Sequence, residues 1–254
     1  MNSLSTNFLF LYTRSQLKLR YRHTYLGFLW NLLEPASYLI VLSVIFSVVN
    51  RMEMSNYAVY LFGALVAWRY FERTVGLMME SIVGGDWLLK KIPVSPFVFP
   101  LSRWMMATVE FLFSFLVVLL IFSVIKHDWT VHLIVLPLAM VPWAALGLGV
   151  GLISAVVFVF FRDIRQVIQM LLMFIFFTSP ILFKADLFAQ HSLQAAMLRL
   201  HPITYFAALI QKPLYYGAWP GPMDWVVSGV VGCLSLAVGY AFMKRFKGRF
   251  YYYL

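Results

Sequence analysis

Long runs of apolar residues alternate with short polar segments along most of the chain. A transmembrane helix needs roughly 20 mainly apolar residues to cross a hydrocarbon core about 30 Å thick. Six segments meet this requirement and predict six transmembrane helices: 27–49, 57–79, 104–125, 137–161, 166–183 and 225–243. The second of these is the least regular, since Arg69, Glu72 and Arg73 lie in its latter half. The pattern predicts an all-α membrane protein.

The first 26 residues have a different pattern. Phe8, Leu11 and Tyr12 recur at helical spacing, while Arg14 and Lys18 occupy another face. This arrangement predicts an N-terminal amphipathic helix in the cytoplasmic membrane interface, with its basic residues towards anionic lipid headgroups. A solvated basic arm is the alternative. Residues 27–254 then form the transmembrane domain.

A second atypical region, residues 184–224, precedes the last predicted span. It contains two apolar pieces, 187–200 and 203–210, separated by His201 and Pro202. Neither piece is long enough to cross the bilayer, and proline fits the first turn of a new helix. We therefore expect two short re-entrant helices, with a helical hairpin on the outer surface as the alternative.

The composition agrees with lipid as the surrounding medium. Of the 254 residues, 62% are hydrophobic and 12% are charged, whereas an ordinary soluble domain has about 45–50% apolar and about 25% charged residues. The mean hydropathy is +0.82. A soluble fold of this length is unable to bury so much apolar surface, so the chain is predicted to reside in a membrane.

The excess of basic residues predicts an orientation. The chain has 20 Lys and Arg against 10 Asp and Glu, a net charge of +10, which in a soluble protein would suggest nucleic acid. However, 15 of these 20 basic residues fall in the N-terminal segment, the tail and alternate connections, and five in the others. The positive-inside rule then places both termini in the cytoplasm, and no nucleic-acid partner is needed.

The connection 80–103 is a predicted cytoplasmic loop that is longer than an ordinary turn between spans. It contains two glycines and three prolines, and Asp86 to Lys91 is predicted to form a short helix between Gly85 and Pro93. The length fits a docking surface for a cytoplasmic partner, and an elaborate connector explains it equally well.

The sequence contains no recognisable catalytic or cofactor-binding pattern. It lacks an H-E-x-x-H pair, a Gly-x-Ser-x-Gly elbow and a phosphate-binding Gly-x₄-Gly-Lys-Ser/Thr loop. Cys233 is the only cysteine, which excludes an intrachain disulfide and a cysteine metal cluster. These absences make a catalytic site hard to assemble, and we expect that the chain is not an enzyme and binds no cofactor or metal itself.

Charged residues inside or beside the spans need partners, because a lone charge in hydrocarbon is costly. Two carboxylates enter the spans from the predicted cytoplasmic side, where several arginines also lie. We predict a structural charge network of Glu34, Arg69, Arg73, Glu110, Arg162 and Asp163. A proton relay is less compatible with these positions, since relay carboxylates lie nearer the membrane midplane.

Two spans carry polar, sulfur-containing and aromatic side chains at helical spacing. Trp30 and Tyr38 lie on the first span, and Gln169, Met173 and Phe177 lie on the fifth. Such faces are candidates for the wall of a substrate channel, where sugar rings stack on aromatic rings. Packing and interface anchoring are the alternative role of membrane aromatics.

Four short stretches resemble a known family. Residues 26–35, LGFLWNLLEP, resemble that family's LG-x-x-W-x-x-L-x-P segment at the start of the first span. Residues 160–164, FFRDI, are similar to its FRD turn between spans four and five. The other two are 91–94 with 99–100, and 201–204, where relatives commonly carry Asn-Pro in place of His-Pro. Over essentially its whole length the chain resembles the ABC-2 type permeases of polysaccharide ABC exporters.

The resemblance implies a homodimeric transmembrane pore in the bacterial cytoplasmic (inner) membrane. It also implies two copies of a separate cytoplasmic ABC ATPase, which binds ATP and Mg and docks on the loop at Asp86, Lys90 and Lys91. The implied cargo is a polysaccharide on a lipid carrier, such as undecaprenyl-linked O antigen.

Other cargoes remain open. Exporters of capsular polysaccharide and teichoic acid are close relatives, and the Glu34-Pro35 pair is also typical of capsule permeases. An ion-coupled carrier of small solutes predicts inverted repeats. The two halves of the chain show no convincing repeat.

Overall fold

The computed structural model describes residues 3–22, 25, 27–49, 53–125, 131–184 and 192–253. All regular secondary structure within these residues is helical, which confirms the predicted all-α fold. The α-helices are α1 (Ser3–Tyr21), α2 (Trp30–Val49), α3 (Met54–Met79), α4 (Ser81–Gly84), α5 (Asp86–Leu89), α6 (Val98–Ile125), α7 (Leu136–Phe160), α8 (Ile164–Thr178), α9 (Ser192–Leu200), α10 (Pro202–Gln211) and α11 (Pro222–Phe246).

Length and hydropathy mark two helical segments of the described chain as able to cross a membrane, Val131–Phe160 and Pro222–Phe250. Two shorter apolar helices are Ala36–Val49 and Ile164–Thr178. The latter, α8, has 15 residues, which at 1.5 Å per residue gives a length of about 22 Å. It ends before the predicted limit at residue 183 because Pro180 disfavours helical conformation in the residue that precedes it.

Helix α3 lies at the centre of the bundle, in contact with α2, α6, α7 and α10. Most of its side chains are buried from Tyr57 to Met79. On the neighbouring α7, Trp143 is completely buried, and its indole N–H donates a hydrogen bond to the carbonyl of Phe206 on α10, at 3.1 Å. The predicted span with the most charged residues therefore lies in the core, and its three charged residues lie in the latter half of the helix.

Helices α7 and α11 approach each other so closely that backbone touches backbone. A Cβ atom added at Gly149 would lie 2.3 Å from the carbonyl carbon of Ser235, and one at Gly239 would lie 2.4 Å from the carbonyl oxygen of Gly149. Only glycine allows this approach, as in other small-residue contacts between membrane helices. The result is a tight pair made by the two longest apolar segments.

Helix α1 and the connection between α3 and α6 form a common apolar cluster. Leu88, Leu89 and Phe99 are its buried members, and Phe8 and Tyr12 of α1 pack against them. The Tyr12 and Phe99 rings make an edge contact with centroids 5.6 Å apart. The predicted interfacial helix and the predicted docking loop are thereby joined into one structural unit.

The region before α11 contains two short helices, α9 and α10. Pro202 lies in the first turn of α10, at the position predicted for it, while residues 185–191 of the predicted region lie outside the described residues. Helix α10 is largely buried against α3, α7 and α11. It belongs to the packed body of the protein.

Candidate functional site

Within the described part of the chain, an extensive polar arrangement surrounds Glu110 on α6, whose side chain is only 2% exposed. The Tyr21 hydroxyl donates to Oε1 at 2.6 Å, and Arg20 Nε lies 3.3 Å from the same oxygen. Arg73 Nε donates to Oε2 at 2.7 Å. Both carboxylate oxygens are therefore occupied, one by α1 and the other by α3, so that Glu110 joins three helices.

Arg73 and its neighbours extend this arrangement to α2. Arg73 also pairs with Glu34, with Nη1 and Oε2 3.7 Å apart. One turn earlier, Arg69 pairs with Glu72 at 2.9 Å, and its guanidinium lies 3.7 Å from the centroid of the Tyr38 ring. We call this set the charge junction; its members are Arg20, Tyr21, Glu34, Tyr38, Arg69, Glu72, Arg73 and Glu110.

The charge junction borders a half-open pocket of about 240 Å³ whose lining includes Glu34, Arg69, Arg73 and Glu110. Three arginines face three glutamates, so the charges balance within the set. Burial, together with the positive charge of Arg73, lowers the pKa of Arg20, and the charge of Glu110 opposes this change. A balanced set of this kind is suited to holding helices together, because each buried charge has a partner.

Four of the six residues predicted to form the network meet in the charge junction. The other two, Arg162 and Asp163, lie at the turn between α7 and α8. The Arg162 guanidinium lies 5.1 Å from the centroid of the Phe158 ring, and Asp163 is exposed at the start of α8 without a side-chain cap.

Four members of the junction were absent from the predicted network: Arg20, Tyr21, Glu72 and Tyr38, of which Tyr38 was predicted to line the channel. Glu72 lies three residues from Arg69, a spacing at which helical side chains meet, and the sequence therefore contained a signal for that pair. No comparable signal links Tyr21 to Glu110, because the contact joins residues 89 positions apart.

The residues predicted to couple to an ATPase occupy the outer face of α5 and the turn that follows it. Lys90 pairs with Asp86 at 3.5 Å, and both side chains are about half exposed. Lys91 Nζ lies 5.9 Å from the Trp87 ring, which is 56% exposed. The inner face of α5 is fixed by burial of Leu88 and Leu89. We call the outer set of Asp86, Trp87, Lys90 and Lys91 the α5 face.

The five residues predicted to line a channel are all exposed in the single chain. Trp30 and Tyr38 lie on α2, and Gln169, Met173 and Phe177 follow one face of α8. An adjacent face of α8 packs on the bundle through Leu172 and through Phe176, whose ring centroid is 5.7 Å from that of Trp68. The structure therefore leaves both predicted channel faces accessible, although the Arg69 guanidinium covers one side of the Tyr38 ring.

Comparison with protein families decides the class. The model of the family described as ABC-2 type transporter matches residues 7–215, which include the charge junction, the α5 face and α8. The chain belongs to the ABC-2 type transporter family. The resemblance predicted from the sequence is thereby confirmed, and this ABC-2 transporter is an integral membrane protein that acts as a transport subunit.

Named relatives of this ABC-2 transporter are polysaccharide exporters. It is 29% identical over 201 residues to the O-antigen export system permease protein RfbA of Myxococcus xanthus, covering 79% of this chain and 77% of that protein. A protein of the same name from Klebsiella pneumoniae is 27% identical over 184 residues, with 70% and 69% covered. The polysialic acid transport protein KpsM of Escherichia coli is 24% identical, with 79% and 74% covered.

Proposed function

We propose that the chain is the membrane subunit of an ATP-driven exporter that moves lipid-linked polysaccharide, O antigen in the first instance, across the bacterial cytoplasmic membrane. The observation that carries the proposal is its membership of the ABC-2 type transporter family together with relatives that are named for O-antigen export. The cargo in this proposal is linked to undecaprenyl, as the resemblance implies.

Six helices serve as the membrane spans in this proposal: α2, α3, α6, α7, α8 and α11. Five of them have between 20 and 28 residues, enough for about 30 Å of hydrocarbon. The shorter α8 is supplemented by the segment 179–183. The distribution of basic residues supports cytoplasmic termini, which places α1, α5 and the charge junction on the ATPase side.

Two copies of the chain form the transport channel in this proposal. The uncovered faces of α2 and α8 support such a dimer, because they carry aromatic and polar groups rather than a purely lipid-like surface. Trp30, Tyr38, Gln169, Met173 and Phe177 then face the polymer. Flat aromatic rings offer sugars an apolar surface without a tight binding site, which a moving polymer requires.

A cytoplasmic ABC ATPase, present in two copies, holds ATP and Mg and docks on the α5 face. Its movement reaches α1 through the apolar contacts of Tyr12, Phe99 and Leu89. From α1 it passes through Arg20, Tyr21 and Glu110 to the spans. Because a ligand shifts an equilibrium only by its differential affinity for two states, the two nucleotide states of the ATPase must contact the α5 face differently.

Deletion of the gene tests the proposal and separates the cargoes. We expect loss of surface O antigen, accumulation of the lipid-linked polymer inside the cell, and recovery of both when the gene is restored. An unchanged surface polysaccharide would contradict the proposal.

Loss of a capsular polymer, with O antigen unaffected, would favour the alternative of a capsule permease, which the similarity to the polysialic acid transport protein supports. Loss of teichoic acid would identify the third related cargo.

A further inference from the structure

An ion pair connects the beginning of the docking loop with the beginning of α8. Glu80 directly follows α3, where it separates that helix from α4. Its carboxylate pairs with the guanidinium of Arg165, in the first turn of α8. The two side chains are 47% and 43% exposed. The pair therefore bridges two elements that are 85 positions apart in the sequence.

The rest of α8 is held along one side only. Leu172 is its one buried side chain among the described residues, while Ile168, Ile175 and Phe176 pack, only partly buried, against the same core. At the other end of the helix, Arg165 also lies 6.0 Å from the Phe158 ring of α7. An element held by so few buried groups can shift relative to the bundle, and the Glu80 pair fixes the end that is nearest the docking loop.

Glu80 is closely tied to the docking loop. Only the four residues of α4 and Gly85 separate it from α5. Gly85 lies against the Phe99 ring so closely that an added Cβ would be 2.3 Å from a ring carbon. This contact leaves little room for α5 to move independently of the segment that begins at Glu80.

We propose that Glu80 and Arg165 are positioning residues that transmit movement of the docking loop to α8 during transport. This proposal rests on the proposed function, since it assigns the ATPase to the α5 face and the polymer to the exposed face of α8. A half-exposed ion pair adds little to stability. The pair is therefore not needed for folding, and its contribution lies in coupling the two elements.

The test uses the complete transporter, the chain with its ATPase, in vesicles that contain a lipid-linked glycan. The quantity measured is glycan exported per ATP hydrolysed. We expect Glu80→Gln and Arg165→Gln each to lower this ratio about three- to fivefold, with an unchanged yield of the complex. The double variant Glu80→Arg with Arg165→Glu restores the opposite charges and is expected to recover at least half of the ratio.

The matched control is Arg245→Gln, which removes an exposed guanidinium from the last turn of α11 and should leave the ratio unchanged. If a glutamine variant lowers the yield of the complex, the charge-retaining variants Glu80→Asp and Arg165→Lys are tested instead. Both are expected to retain most of the glycan exported per ATP hydrolysed.

Unchanged ratios in both single variants would overturn the proposal, and so would failure of the double variant to recover the loss. A charge-retaining variant that loses as much as the glutamine variant would also overturn it. Absence of ATP-dependent export by the unsubstituted transporter would instead contradict the proposed function, so the two failures are distinguishable.

Discussion

Replacing Glu110 by glutamine removes the negative charge at the centre of the charge junction while keeping the size of the side chain. Glutamine can still accept a hydrogen bond through its amide oxygen, but its amide nitrogen cannot accept one from Arg73 or Tyr21. Arg73 and Arg20 are each about 30% exposed. They lose the buried carboxylate that balances them, although Arg73 retains the more distant Glu34.

The expected cost follows from these contacts. A hydrogen bond to a charged group contributes about 1.5–3 kcal/mol, and breaking a fully buried pair costs about 3–5 kcal/mol. Because the arginines retain some solvent and glutamine retains one acceptor, we expect a loss near 2 kcal/mol in the attachment of α1. At 1.4 kcal/mol per factor of ten, the opened population of α1 then rises about 30-fold.

Limited trypsin digestion of the purified chain measures this opening. Lys18 lies on the exposed face of α1, and its cleavage rate follows the population of the opened state when reclosing is fast. The matched control is Glu72→Gln, the same chemical change at a carboxylate that is 39% exposed. An exposed pair contributes at most about 1 kcal/mol, so this variant should accelerate cleavage at Lys18 at most about fivefold. Equal acceleration in the two variants would refute the central role of Glu110.

Three further predictions concern packing, docking and the channel. Gly239→Ala places a methyl group against the backbone of Gly149 and should cost about 3 kcal/mol in stability, the upper end of the usual cost of overpacking, seen as lost folded yield. Gly229→Ala, whose Cβ meets nothing within 4 Å, should be neutral or slightly stabilising. Lys90→Glu with Lys91→Glu reverses the charge of the α5 face and should reduce co-purification of the ATPase at least tenfold, with normal abundance of the chain. The control, Lys244→Glu with Arg245→Glu, should not reduce it. Equal co-purification of the ATPase with the two double variants would exclude docking at α5. Met173→Ala with Phe177→Ala should lower polysaccharide export several-fold without affecting folded yield, since both side chains are exposed. Leu171→Ala with Phe174→Ala, on the neighbouring exposed face, provides the control. Equal loss of export in the two double variants would argue against a channel on the 169–177 face.

Regular apolar runs made the helices predictable from the sequence. The start of α10 at Pro202 and the existence of a helix at Asp86–Leu89 follow from local chemistry, because proline and glycine act within one turn. The end of α8 at Thr178 was also encoded locally, in Pro180, but hydropathy alone extended the span to residue 183.

The composition of the charge junction was only partly predictable. The sequence predicted four of its members because a charge in an apolar run requires a partner. These are Glu34, Arg69, Arg73 and Glu110. That criterion does not detect Tyr21 or Arg20, which lie in a polar segment where they need no explanation. Glu80 and Arg165 were not predicted either, since they too lie in polar connections between apolar runs. Their pairing depends on how α3, α7 and α8 are arranged in space.

Export by the purified transporter tests the central claim most directly. The chain and its ATPase are placed in sealed vesicles that carry short lipid-linked O-antigen chains, with the ATPase on the outside, and glycan that reaches the lumen is measured. We predict lumenal glycan that accumulates with ATP, is absent with ADP, and requires both chains. ATP hydrolysis without any glycan movement, or glycan movement driven by an ion gradient in the absence of ATP, would contradict the account.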